Sequence, residues 1–307
     1  METALIAARA LQFGSAMILL GTPLLRLGAG SGFADAAAAL GELDRWLRRL
    51  MLVAAILALV SALAWLDLEA ALMGGGWEQA IDGETIRAVL LETTFGKAWI
   101  WHLGFAALLV AALLPAAPAA TVGGRVLLLA LATGLVAGLA WAGHAVMVPG
   151  VTHVGVQILH LLAASLWLGS LPALSYLLHR ARSDAGGAWR RALAVILPRY
   201  SLAGCLAVAA VVLTGCLNSW FLVGGFAALI GTAFGRVLLA KASLVLLMIA
   251  IAASNRFRLT PRVLQMRPEE RGAVTALWRN VALEQGLGAL VIVAVSVLGT
   301  LPPALSP

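Results

Sequence analysis

The sequence predicts an all-α fold, a polytopic membrane helix bundle of about eight transmembrane helices with both termini periplasmic. Three observations predict it. Only 11% of the 307 residues are charged and 62% are hydrophobic, whereas a soluble domain carries about 25% charged residues. The apolar residues fall into eight runs, each near or above the ~20 residues that cross a hydrocarbon core. The cations gather in alternate loops, which is how a membrane protein records its orientation. A single integral membrane domain is expected over residues 1–307.

The runs lie at roughly Leu5–Leu27, Trp46–Leu66, Ala98–Leu114, Val126–Val148, Val151–Leu178, Leu193–Val223, Val237–Asn255 and Asn280–Leu301. The net charge of +7 resembles a nucleic-acid signal, but its short-loop placement points to membrane lipid and to no nucleic-acid partner. One side collects sixteen arginines: Arg26, Arg45, Arg48, Arg49, Arg125, Arg180, Arg182, Arg190, Arg191, Arg199, Arg256, Arg258, Arg262, Arg267, Arg271 and Arg279. The other side has only Arg9, Arg87, Lys97 and Arg236. The rich side is expected to be cytoplasmic. The segment Asp67–Lys97, with six acids and Gly74-Gly75-Gly76, then lies outside. Within it, Glu78–Thr94 reads as a short amphipathic surface helix. The first run lacks a basic leader and a clear cleavage site, so no cleavable signal is expected.

The chemistry concentrates between Trp141 and Leu171. Three of the five histidines, His144, His153 and His160, fall there, around the Pro149-Gly150 turn and between Trp141 and Trp167. A histidine in an apolar span needs a partner, water or a metal. His102 joins them, roughly 8 Å in from Lys97. His153 and His160 share a helix face but are separated by about 10 Å of rise. Two nitrogens on one ion sit within roughly 4 Å of each other, so one ion does not easily take both. A stepwise path fits: an entry site with His153 and His144, then a deeper site with His160 and His102. Met147 adds a thioether on the face of His144. Imidazole with thioether suits copper better than magnesium or calcium. The alternative is that these are packing histidines hydrogen-bonded between helices. His179, beside Arg180, reads as an interfacial cation.

Cys216 is a soft donor in the outer half of its span, with Asn218 beside it; its plainer reading is a small buried apolar residue. Cys205 lies about 16 Å from it along the same run, too far for a disulfide. Lys241 and Glu284 are buried by sequence and fall some 15–20 Å apart in depth, so no direct pair is expected. Lys241 is read as reaching for the outer interface, and Glu284 as held by Arg279 or Gln285 or placed on a proton pathway.

Several of these residues stand in motifs. They are Thr93-Thr-Phe-Gly96-Lys-Ala-Trp99, Trp141-Ala-Gly-His144-Ala and His160-Leu-Leu-Ala-Ala-Ser-Leu-Trp167-Leu-Gly169. Arg199-Tyr-Ser201, Thr214-Gly215 with Asn218, Phe234-Gly235-Arg236-Val-Leu-Leu-Ala-Lys241, Asn255-Arg256 and Glu284 follow. In these the chain resembles the copper resistance protein D family of bacterial inner-membrane proteins, over roughly Arg87 to Pro303, with the first two spans generic. The resemblance implies copper handling, as Cu+ or Cu2+, across the inner membrane, with His144 and His160 at motif positions and no enzymatic activity. It implies a separate periplasmic copper-binding protein as partner. Two other readings compete. One is a membrane cytochrome with haem held between His102 and His160. The other is a scaffold that docks a periplasmic partner through the acidic segment.

Overall fold

The computed structural model describes residues 1–27, 37–115, 121–143, 151–184, 187–223, 225–265 and 271–304. Among these residues the regular structure is entirely helical. Helices α1 (Glu2–Leu27) and α2 (Ala37–Gly74) open the bundle. A 3₁₀ turn at Trp77–Ala80 leads to α3 (Gly83–Glu92). Then come α4 (Thr94–Leu113) and α5 (Val122–Gly138), the latter closed by a 3₁₀ turn at Leu139–Ala142. Helices α6 (Val151–Leu168) and α7 (Leu171–Arg182) form one bent span. They are followed by α8 (Ala188–Val223), the short α9 (Phe226–Gly231) and α10 (Ala233–Ser254). A π-helical turn at Asn255–Leu259, α11 (Thr260–Leu264) and α12 (Arg271–Leu298) complete the chain.

Eight stretches are long and apolar enough to cross a membrane, and they coincide with the eight expected runs. Most are longer than expected, because the helices continue past their apolar centres into the charged margins. The fourth is the exception. Its regular helix stops at Gly138 and its 3₁₀ turn at Ala142; the expected continuation to Val148 lies outside the described residues. The amphipathic helix expected over Glu78–Thr94 is present as α3, shorter and with a defined start. The Asp82 carboxylate accepts from the Thr85 N–H at 2.8 Å and caps it.

The two ends of the bundle differ in charge. At one end lie α3 and the acids of residues 67–97. At the other, Arg26 and Arg125 close on Asp44 at 2.6 and 3.4 Å, and Arg180 on Glu42 at 2.8 Å. Arg180 and Arg182 also lie over the rings of Trp189 and Trp278. These are called below the acidic end and the arginine end.

The order of elements repeats. Helices α1 to α5 are answered by α6–α7, α8, α9, α10 and α12. In each half a short helix precedes a threonine cap. Thr93 accepts from the Gly96 N–H at 2.8 Å, and Thr232 from the Gly235 N–H at 3.0 Å. A side chain on either glycine would strike the carbonyl oxygens of the short helix before it, at Val89 or at Ala228 and Leu229. The halves meet where α1 crosses α6. A Cβ on Gly21 would collide with the backbone at Gly169 and Ser170, and one on Gly169 with the Met17 carbonyl. Small residues let membrane helices approach this closely.

Candidate functional site

Helix α6 carries a stripe at positions 153, 157, 160, 164 and 167, the spacing of one helical face. The stripe faces α8, which runs the opposite way. The buried His153 ring lies 4.9 Å from Phe221. One turn on, the Asn218 amide donates to Gln157 Oε1 at 2.8 Å. Below that, His160 Nδ1 lies 2.9 Å from the Thr214 hydroxyl. Next, Ala164 and Val211 are both buried and apolar. Trp167 follows, in a packed cluster with Ala207. A graded column results, polar from the acidic end to His160, then apolar, then Trp167.

The His160–Thr214 contact engages one nitrogen of the imidazole, and the Thr214 hydroxyl also reaches the Ala210 carbonyl in its own helix. In the tautomer where Nδ1 donates to Thr214, Nε2 keeps its lone pair. Metal-binding histidines are held in this way, with one nitrogen donating to a neighbour and the other left as ligand. The ammonium of Lys241 is near enough to act electrostatically on the ring. The Oδ1 atom of Asn218, one turn above, is buried with no hydrogen-bond partner among the described residues.

His102 has the opposite arrangement. It is fully buried and stacked 4.4 Å from the Trp99 ring. Its Nε2 lies 2.7 Å from the Gln12 amide nitrogen, while the Gln12 oxygen faces the Ser61 hydroxyl at 2.5 Å. Nε2 is thus the nitrogen of this ring that the Gln12 amide group engages. The ring's other nitrogen is turned to the backbone near Leu135 and Gly138. The two histidines that a haem reading pairs thus bond to different helices, His102 to α1 and His160 to α8.

These two clusters occupy matching places in the repeat. Gln12 precedes Gly21 by the nine residues that separate His160 from Gly169, and His102 follows Gly96 by the six that separate Lys241 from Gly235. Gln12, Ser61 and His102 in the first half stand where His160, Thr214 and Lys241 stand in the second. One turn toward the acidic end, Arg9 lies 4.5 Å over the Trp65 ring in the first half, where Gln157 meets Asn218 in the second.

The remaining expected site residues fall in several places. His144 and Met147 lie outside the described residues. Trp141 is half-buried in the 3₁₀ turn that ends α5. Cys216 is exposed, turned away from the face that carries Thr214 and Asn218, and Cys205 is exposed too. His179 is exposed near the Trp278 ring. Glu284 is buried, but its partners are neither Arg279 nor Gln285. Asn255 donates to it at 2.6 Å and the Trp167 indole at 3.3 Å. No group of three or more His, Cys, Asp or Glu side chains stands together as a metal cage among the described residues.

The sequence matches two family models: "Copper resistance protein D-like, N-terminal domain" over residues 1–154, and "Copper resistance protein D" over residues 194–298. The chain belongs to the copper resistance protein D family. It is 36% identical to "Inner membrane protein YebZ" of Escherichia coli (strain K12), over 83% of this chain and 84% of that one. Against "Copper resistance protein D" of Pseudomonas syringae pv. tomato the identity is 31%, covering 83% of this chain and 84% of the relative. Against "Copper transport protein CutJ" of Bacillus subtilis (strain 168) it is 31%, over 75% of this chain but only 41% of the relative. No solved structure matches the chain.

The chain is thus a multi-pass inner-membrane protein of the copper resistance protein D family. The match to residues 1–154 corrects the reading of the first two spans as generic. Those spans hold Gln12 and Ser61, which sequence reasoning passed over, and Arg9, which it counted only as a cation of the outer side. All three are polar residues inside apolar runs. Their partners Trp65 and His102 come from later helices, so spacing along the chain carries no sign of them. The only available signal was that each is polar inside a span.

Proposed function

We propose that this protein moves copper across the inner membrane, accepting it at the acidic end, which faces the periplasm together with both termini. The observation that carries the reading is the His160 ring, whose Nδ1 is engaged by Thr214 and which lies on a polar stripe that starts at the acidic end. His160 is the principal ligand together with His144. His153 and Met147 make first contact, and Trp141 and Trp167 bracket the path. His102 is not in the ligand set, because Gln12 occupies its nitrogen. The ion is substrate, and no chemical step on it belongs to this reading.

Charge favours Cu+ over Cu2+. At one distance from Lys241 a divalent ion is repelled twice as strongly as a monovalent one. Imidazole and thioether donors also suit the softer ion. The acids of residues 67–97 attract cations to the mouth and offer a surface to a separate periplasmic copper protein. Neutralising them slows uptake more at low salt than at high salt, because such steering is screened. Equal rates at both salt concentrations remove the steering role.

Copper accumulation in cells expressing His160→Ala, beside wild type and His179→Ala, tests the reading. Accumulation or sensitivity should change for His160→Ala and not for His179→Ala. Identical behaviour of all three at equal membrane abundance would reject transport through this column.

A further inference from the structure

Below the Ala164–Val211 layer the column opens on a cavity of about 270 Å3 between α8 and α10. Trp167 lies at its wall, and Glu284 is its one acid. The carboxyl is only 3% exposed. Its Oε1 accepts from Asn255 at 2.6 Å and its Oε2 from the Trp167 indole at 3.3 Å. Asn280 donates to the Asn255 oxygen at 2.8 Å and so turns the Asn255 amide group onto the acid. Asn255 begins the π-helical turn, and extra residues inserted in this way recur at functional sites.

No ion pair reaches Glu284 among the described residues. The titratable and charged groups around it are few. From α8 come Tyr200, whose hydroxyl lies 3.4 Å from Ser170, and the free Cys205 thiol at the cavity wall. From the π-helical turn comes Arg256, held by the Ser201 hydroxyl at 2.8 Å. Its own helix offers Arg279, which is exposed. Helix α6 presents Trp167, which does not titrate, and α7 lines the cavity with Leu171 and Leu174. Lys241 lies about 21 Å away along α10.

We propose that Glu284 is a proton-binding site, filled and emptied through this cavity from the arginine end, and that its occupancy is coupled to copper movement on the other side of the apolar layer. The coupling element is α6 itself. His160 and Trp167 lie on one face of it about 10 Å apart, so a shift of α6 that accompanies copper at His160 moves the indole that donates to Glu284. The atoms balance simply: one proton binds to or leaves one carboxylate oxygen, and no other bond changes. This coupling rests on the transport reading above, whereas the proton site itself does not.

The test uses purified protein in vesicles, with copper added on one side and a pH indicator on the other. Wild type, Glu284→Gln and Glu284→Asp are compared with and without a pH gradient. Dicyclohexylcarbodiimide, an apolar reagent for protonated carboxyls, is applied in parallel and the labelled residue found by mass spectrometry. We expect gradient-dependent copper uptake in wild type and in Glu284→Asp. We expect loss of that dependence in Glu284→Gln, with copper binding still at the wild-type stoichiometry. Labelling should fall on Glu284 and decline as pH rises. Unchanged gradient dependence in Glu284→Gln overturns the coupling. Copper that fails to enter any vesicle removes the transport reading instead, and the labelling then decides the proton site alone. Absence of pH-dependent label at Glu284 overturns the site, even if Glu284→Gln does not fold.

Discussion

His160 and His102 show how the same side chain takes two roles. In His160 it is Nδ1 that a neighbour engages, through Thr214; in His102 it is Nε2, through Gln12. Two predictions follow at this scale. Thr214→Val keeps the shape but removes the oxygen that orients His160. Copper affinity should fall about 10–100-fold, the usual effect of losing such a partner, as measured by competition with a chelator. Gln12→Ala removes the partner of a fully buried imidazole. It should lower stability by about 1–3 kcal/mol, read as a lower melting temperature in detergent, with copper binding per folded molecule unchanged. The distinction was half legible in the sequence. His160 is marked by its place in an apolar span near two other histidines. The state of His102 depends on Gln12, 90 residues earlier, and no local pattern encodes that contact.

Helices were the most legible level, because apolar length alone locates a span. Bends and caps were less so. The break between α6 and α7 falls at Gly169, where α1 must come close, and that demand comes from a distant helix. Gly169→Ala should therefore destabilise the α1–α6 crossing by about 1–3 kcal/mol, the usual range for overpacking. A denaturation series in mild detergent checks this, with Gly104→Ala on α4, a glycine with open space around it, as the control. At the acidic end, the Thr85 side chain and backbone hold the Asp82 carboxyl below its usual range. A carboxylate made more acidic by folding supports the fold above its unfolded pKa and loses that support as pH falls through the lower, folded one. The start of α3 should stay protected at neutral pH and loosen below the ordinary aspartate range. Hydrogen exchange of the amides at Gly83–Glu92 follows this, and Asp82→Ala should abolish the pH dependence.

At the level of the whole molecule, a fourfold excess of cations on one side predicts that reporter fusions at the carboxyl end are active only in the periplasm. Cytoplasmic activity there would reverse the bundle. The repeat was not legible, since Gln12 and His160, or His102 and Lys241, share no chemistry that would align them. It emerges from the order of helices and the paired threonine caps. It also explains why one half looked generic: the same scaffold holds Gln12 in the first half and His160 in the second. The central claim is that the second-half column, through His160 with His144, holds the copper. Metal analysis of purified protein tests it most directly, comparing wild type, His144→Ala, His160→Ala and His179→Ala at equal folded concentration. Stoichiometric copper in wild type and His179→Ala, and its loss in both other variants with unchanged melting, is the result expected. Full copper in His144→Ala and His160→Ala would contradict the claim and make these histidines packing groups.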